Sequence, residues 1–282
     1  MDQVITIDGY DIAYRVVGKG SQVAVMVHGW GASKAWWQIM AEGLAETHTC
    51  YLIDLLGFGA STKPDTFEPF QIEHQAAMVA GLIQQLELAP VYLIGHSMGG
   101  MITVTLAHHY PALVDRFTVF NLVVTGRCGS FLQLGGLITS LPFIGSQLYR
   151  WTVSMNTSSL TMYSNMFKEM LVQSRNVKRP DIHQFVVRTF ADVKKTPAHS
   201  YEFALKAFTT FDLRPFMGQV EQPALVVGGK EDRQIPPEDT QLLADALPNG
   251  QLKWFSPAGH DPFVEYPDQC IALLKEFGQK AL

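Results

Sequence analysis

Ser97 stands in Gly95-His-Ser-Met-Gly99, with an apolar run at residues 91–94 before it and a helix-like run at residues 101–109 after it. That is the setting of a tight strand-to-helix turn, whose flanking positions must be nearly free of side chain and whose centre thrusts a hydroxyl out of constrained backbone. A serine hydroxyl is a weak nucleophile until a base takes its proton, and the base needs an acid to orient it. Of the nine histidines, five follow Ser97: His108, His109, His183, His199 and His260. His108 and His109 end a helix-like run, and His183 and His199 fall in a stretch without strands. His260 alone lies beyond the last strand-like run, in the turn-rich Ser256-Pro-Ala-Gly-His-Asp-Pro262. It is the expected base. The preceding loop, Gly228-Gly-Lys-Glu-Asp-Arg-Gln-Ile-Pro-Pro237, offers Glu231 and Asp232. Asp232 is the expected acid, with Glu231 facing solvent and Arg233 beside it as an ion-pair partner. The strand-like run before the central stretch, residues 117–124, supplies no carboxylate.

Acyl transfer also needs donors for a developing oxyanion. The backbone N–H of Met98, directly after the serine, is one. The second is expected from Val27-His28-Gly29-Trp30-Gly31, where glycines let backbone approach a ligand and the Trp30 N–H is free to point at it. His28, placed before Ser97 and hard against a strand, reads as a structural hydrogen-bonding residue.

Positioning these groups requires strands that end on a common edge. Residues 4–7 and 10–17 flank Asp8-Gly9 and read as a hairpin. Short apolar runs at 23–27, 50–53, 91–94, 117–124, 224–227 and 252–255 read as strands, and helix-like runs at 34–46, 72–86, 101–109, 239–246 and 268–280 alternate with them. Such alternation means a mostly parallel central sheet flanked by helices. From 125 to 211 the alternation stops, leaving helix-like pieces at 131–140, 146–155, 160–171, 181–194 and 199–209. The expected organisation is therefore an α/β core, 1–124 and 212–282, with an all-helical cap at 125–211. Met162, Met166 and Met170 recur at four-residue spacing within it. Met162 and Met166 are the expected substrate-contacting residues of an adaptable apolar wall, in competition with simple packing between helices.

The chain has 282 residues, 47% of them hydrophobic, a net charge of −5 and scattered Lys and Arg, which argues against nucleic acid or an anionic membrane as partner. Residues 1–20 lack the basic and apolar regions of a signal peptide, and no run is long enough to span a bilayer, so a cytoplasmic chain without stable membrane insertion is expected. Cys50, Cys128 and Cys270 are odd in number and far apart, and read as small core residues. No Cys, His or carboxylate cluster has metal-ligand spacing, so neither metal nor cofactor is expected. Oligomeric state is left open.

The chain resembles the α/β-hydrolase fold family over essentially its whole length. The matching motifs are His28-Gly29-Trp30-Gly31, Asp54-Leu-Leu-Gly-Phe-Gly-Ala-Ser61, Gly95-His-Ser-Met-Gly99, the Asp232 loop ending in Ile235-Pro236, and Gly259-His260 followed by Glu265-Tyr-Pro267. The resemblance implies that Asp54, Gly57, Gly59 and Ser61 form a structural loop. Within the family, His-Gly-Trp-Gly and Phe211-Asp-Leu-Arg-Pro215 look like carboxylesterases of the pimeloyl-carrier-protein methyl esterase type. The meta-cleavage C–C hydrolases share Gly-x-Ser-Met-Gly, but commonly place a tryptophan where this chain has Asp261. The expected activity is hydrolysis of a small to medium carboxylic ester through an acyl-enzyme. C–C hydrolysis, acyl transfer, perhydrolysis and a non-hydrolytic small-molecule receptor stand as alternatives.

Overall fold

Asp8 and Gly9 both take left-handed backbone, φ 47° and 84°, the geometry of a two-residue turn whose twist suits a hairpin. They join β1 (Asp2–Ile7) to β2 (Tyr10–Val17) with Ile7 opposite Tyr10. In this computed structural model, which describes residues 2–279, six more strands follow. They are β3 (Gln22–Val27), β4 (His48–Ile53), β5 (Val91–His96), β6 (Val114–Phe120), β7 (Ala224–Gly229) and β8 (Gly250–Phe255). All eight form one sheet in the order β1-β2-β4-β3-β5-β6-β7-β8. Pairing is antiparallel at β1–β2 and β2–β4 and parallel elsewhere. Strands β5 and β7 are buried at every position, as strands covered on both faces are.

Helices α1 (Gln38–Leu44), α2 (Ile72–Gln85) and α3 (Met98–His109) belong to the first part of the sheet. Between β6 and β7 the described residues contain no strand. They form α4 (Ser130–Thr139), α5 (Gly145–Asn156), α6 (Leu160–Phe167), α7 (Pro180–Val193) and α8 (Ala198–Thr210). The sheet then resumes with α9 (Pro237–Ala246), α10 (Pro262–Glu265) and α11 (Pro267–Gln279). Residue 280, the last of the expected closing helix, lies outside the described residues.

Two expected elements differ in instructive ways. The run at 34–46 begins as a 3-10 turn, Lys34–Trp37, before α1. Its start is gripped from outside: the Ser33 hydroxyl accepts from Ala35 N–H, and the buried Asp54 carboxylate takes both the Lys34 N–H and its ammonium group. Asp54 also accepts from Ala60 N–H, and a Cβ on Gly59 would stand 2.2 Å from that carboxylate. Its loop is thus closed upon itself. The run at 117–124 leaves the sheet early, at Asn121, whose backbone is left-handed (φ 43°). Leu122, Val123 and Val124 are apolar because they are buried, not because they are strand. Burial without ladder pairing is what hydropathy alone reads wrongly.

Candidate active site

Strand β5 ends at His96 and α3 starts at Met98, so the whole reversal falls on Ser97, with φ 54° and ψ −121°. Left-handed backbone at a residue with a side chain costs free energy and persists where the surroundings over-determine it. Here they do: Ser97 N–H donates to Phe120 O at 2.9 Å, and Ser97 O accepts from Gly100 and Met101. A Cβ on Gly95 would stand 2.4 Å from Thr103 Oγ1 and one on Gly99 2.4 Å from the backbone oxygens of both Val27 and His28. Both glycines are required by close approach: of α3 at Gly95, and of the end of β3 at Gly99.

His260 Nδ1 lies 2.8 Å from Asp232 Oδ2. The Asp232 carboxylate is itself fixed: Oδ1 accepts from the N–H groups of Gln234 (2.7 Å) and Ile235 (3.1 Å). Burial pulls the imidazole pKa down, but the charge and hydrogen bond of Asp232, with Asp261 adding, outweigh it and leave His260 above the ordinary histidine value. The histidine backbone is clamped on both sides. Its N–H donates to Met170 O at 2.8 Å, and its carbonyl oxygen lies 3.1 Å from His96 Nε2.

Ser97, His260, Trp30 and Met170 line one small cavity of about 30 Å³. Ser97 Oγ makes no hydrogen bond to another described residue, so the hydroxyl remains free towards that cavity. The N–H of Met98 sits in the first turn of α3, where no intrahelical acceptor exists. His28 makes its expected structural bonds, with Nδ1 at 2.8 Å from Gly29 O and Nε2 accepting from Leu55 N–H at 3.0 Å. That network holds the loop bearing Trp30, whose indole N–H donates to Tyr201 O in α8 at 2.8 Å.

A second cavity, of about 210 Å³, lies within the helical insertion. It shares Trp30 and Leu132 with the first, and its lining includes Tyr149, Val153, Met166 and Leu205 and no charged side chain. The three methionines separate. Met166 lines the larger cavity and Met170 the smaller, whereas Met162 is 42% exposed and lines neither. The physical reason is twofold. Helix α6 turns Tyr163 and Phe167 inward, which faces Met162 outward. The chain then tightens into a 3-10 turn at Lys168–Met170, which swings Met170 round to the cavity of Ser97 and His260.

Four residues around the site were not singled out by their sequence pattern. Asn121 Nδ2 donates to Asp232 Oδ2 at 2.6 Å and its Oδ1 accepts from Gly229 N–H at 3.3 Å. A polar residue ending an apolar strand was the available signal, since asparagine tolerates left-handed backbone. His96 is buried between Trp36, His260 and Phe263, and burial holds its pKa well below the ordinary value. Asp261 is fully buried, its nearest polar neighbour being His96 Nε2 at 3.2 Å from Oδ1 without hydrogen-bond geometry, and burial, opposed by His260, pushes its pKa up to about 7. Glu265 accepts from Gly259 N–H (2.6 Å) and Val172 N–H (3.0 Å), fastening the histidine loop to the insertion. Glu231 is exposed, as expected, but its partner differs. It is not paired with Arg233 but accepts from Ser256 Oγ and Ala258 N–H, bracing the turn before His260.

A family model described as the alpha/beta hydrolase fold matches residues 23–267. An uncharacterized hydrolase of Bacillus subtilis is 27% identical, covering 96% of this chain and 96% of that protein. The pimeloyl-[acyl-carrier protein] methyl ester esterase of Nitrosomonas europaea is 25% identical over 93% of this chain and 97% of that protein. Among solved structures, an esterase from Exiguobacterium antarcticum superposes with a TM-score of 0.82 at 20% identity, covering 99% of this chain and all of that one (100%), a likeness of fold.

Proposed function

The chain belongs to the alpha/beta hydrolase fold family, and on that premise we propose that it is a serine carboxylesterase acting through an acyl-enzyme. Ser97 Oγ attacks the ester carbonyl carbon while His260 Nε2 takes the hydroxyl proton. Asp232 holds the imidazole in the tautomer with Nδ1–H and stabilises the imidazolium as it forms. The backbone N–H groups of Trp30 and Met98 receive the negative charge on the former carbonyl oxygen. When the tetrahedral adduct collapses, the C–O bond to the alcohol breaks and His260 returns its proton to the departing oxygen. A water molecule, deprotonated by His260, then attacks the acyl–Ser97 carbonyl. Collapse of that adduct breaks the bond from the carbonyl carbon to Ser97 Oγ, His260 returns its proton to that oxygen, and the acid is released.

The observation that carries this reading is the strained Ser97 hydroxyl and the Asp232-bound imidazole on one cavity wall. The uncharged larger cavity beyond Trp30 and Leu132 supports an ester whose acyl or alcohol part is apolar and carries no charge. Turnover of p-nitrophenyl esters of increasing acyl length tests both parts. Activity is expected with an optimum set by the cavity, and Ser97→Ala should lower kcat by about 10⁴-fold or more, because members of a triad act as a unit. Near-full activity in that variant would remove Ser97 from the mechanism.

A further inference from the structure

The helical insertion carries an apolar face that no described part of the chain covers. Residues 128–167 contain a single charged side chain, Arg150, in a chain that is 17% charged, and Arg150 is paired with Glu202. Along α5 and the residue before it, Ile144, Leu148, Trp151 and Met155 recur at spacings of four, three and four, and all four are exposed. That is one side of a helix, turned to solvent. Leu134 and Leu137 of α4, which packs against α5, and Leu141 of the turn after it are exposed as well. At the tip of the turn between them Phe143 is 96% exposed and left-handed, φ 67°. An aromatic residue takes that backbone only at a free-energy cost, and here the result is to project the ring into water.

We propose that α4, its following turn and α5 dock the protein peripherally on a zwitterionic lipid–water interface. Three observations favour that occupant. The polar groups interspersed with the patch, such as Ser140, Gln147 and Ser154, are uncharged, which matches a surface of no net charge. An anionic leaflet is met instead by clustered Lys and Arg. A projecting apolar tip enters a fluid interface without needing a shaped hollow, as an amphipathic helix buries its apolar face among headgroups. Finally, Leu134 belongs both to the exposed patch and to the lining of the larger cavity, so docking would set the cavity mouth against the lipid. No described helix is long and apolar enough to cross a membrane, so the contact is one face of the insertion. The consequence that an apolar ester enters the cavity directly from lipid rests on the esterase reading; the docking itself does not.

The test is flotation of the full chain with phosphatidylcholine vesicles, using the Ser97→Ala protein beside the wild type. Both are expected to partition onto vesicles, and replacing part of the lipid by phosphatidylglycerol should leave partition unchanged. The double variant Phe143→Ser, Ile144→Ser should lower partition by about tenfold or more, with hydrolysis of a water-soluble ester unaltered. If that variant melts early, Trp151→Ser and quenching of wild-type tryptophan fluorescence by brominated phosphatidylcholine give the same readout. No partition of the wild type, partition only with anionic lipid, or equal partition of the variants would overturn the proposal. So would a solution dimer that the Phe143 substitution splits, since a second copy would then be what covers the face. Partition by a protein without ester turnover would leave docking standing and sink the esterase reading alone.

Discussion

The edge of the sheet and the helical insertion face each other across the same cavity and are built by opposite rules. At the edge, backbone does the positioning. Ser97 is held by Phe120 O, Asp232 by two N–H groups of its own loop, and His260 between Met170 O and His96. Glycines stand where a Cβ would strike backbone within about 2.5 Å (2.4 Å at Gly99, 2.5 Å at Gly259). In the insertion, side chains do the work: Tyr149, Val153, Met166 and Leu205 shape a cavity without a charge. On the proposed mechanism, the difference assigns chemistry to where the main chain runs and selectivity to what fills the space above it. A change at the edge should therefore alter kcat, and a change in the insertion should alter choice of substrate.

After loss of Ser97 itself, the largest effects should come from the carboxylate behind the base. Asp232→Asn removes the charge that stabilises the imidazolium and is expected to lower kcat by about 10³–10⁴-fold. Glu231→Gln, which only weakens a brace of the Ser256 turn, should cost less than about tenfold. Asn121→Ala removes one donor to the Asp232 carboxylate and should fall between them, at about 10–100-fold in kcat with KM little changed. Equal losses from Asp232 and Glu231 would erase the distinction between the acid and its scaffold. Because His260 sits above the ordinary histidine value and must be neutral to accept a proton, activity should rise with pH through an apparent pKa above about 6.5. A limb below that value would mean the imidazole does not feel the Asp232 charge.

Met166→Gln should change kcat/KM for long acyl esters relative to short ones by about tenfold, the worth of one or two lost apolar contacts. Met162→Gln, at an exposed position, should leave that ratio alone. The reverse ranking would relocate the pocket to the outer side of α6. Unaltered selectivity with a lower melting temperature in Met166→Gln would make that residue a packing element.

How much of this was legible from sequence follows the same divide. That Ser97, Asp232 and His260 would meet at one edge was readable because turn chemistry marks them: glycines with a close-approach duty, and loops after strand-like runs. The wall of the cavity was readable only in outline. Four-residue spacing groups Met162, Met166 and Met170, yet the 3-10 turn after Phe167 sends Met170 to a different cavity from Met166, and Met162 in the first turn of α6 is left exposed. Asn121 was hidden by an apolar run that continues for three residues after the strand has ended. The exposure of Glu231 was legible, but its partners were not: an exposed carboxylate beside an arginine suggests a pair, while the nearer partners came from residues 256–258, across the sheet edge.

The smallest effect concerns stability and isolates a residue that belongs to neither rule. Asp261 is buried with its pKa raised from 3.8 to about 7, so the folded chain holds that proton more tightly than the unfolded one. Its contribution is full below the unfolded value and is lost as pH rises towards about 7. His260, also raised, acts in the same direction from about pH 6.5 upward. The melting temperature should therefore decline from pH 5 to pH 8, and Asp261→Asn, which cannot ionise, should flatten that decline by a few degrees, about 2–4 °C per kcal/mol for a domain of this size. An unchanged slope would mean the Asp261 carboxylate finds solvation in the folded protein.

The central claim is that Ser97 carries the acyl group during turnover. Rapid quenching of a p-nitrophenyl ester reaction in acid, followed by mass analysis of the peptide containing Gly95 to Gly99, measures that directly. The account predicts a burst of p-nitrophenol approaching one equivalent per chain and an acyl mass on Ser97, absent from Ser97→Ala and accumulating in a variant of His260 slow to deacylate. Ester turnover with no burst and no acyl mass on that peptide, or an acyl group on another residue, would contradict it.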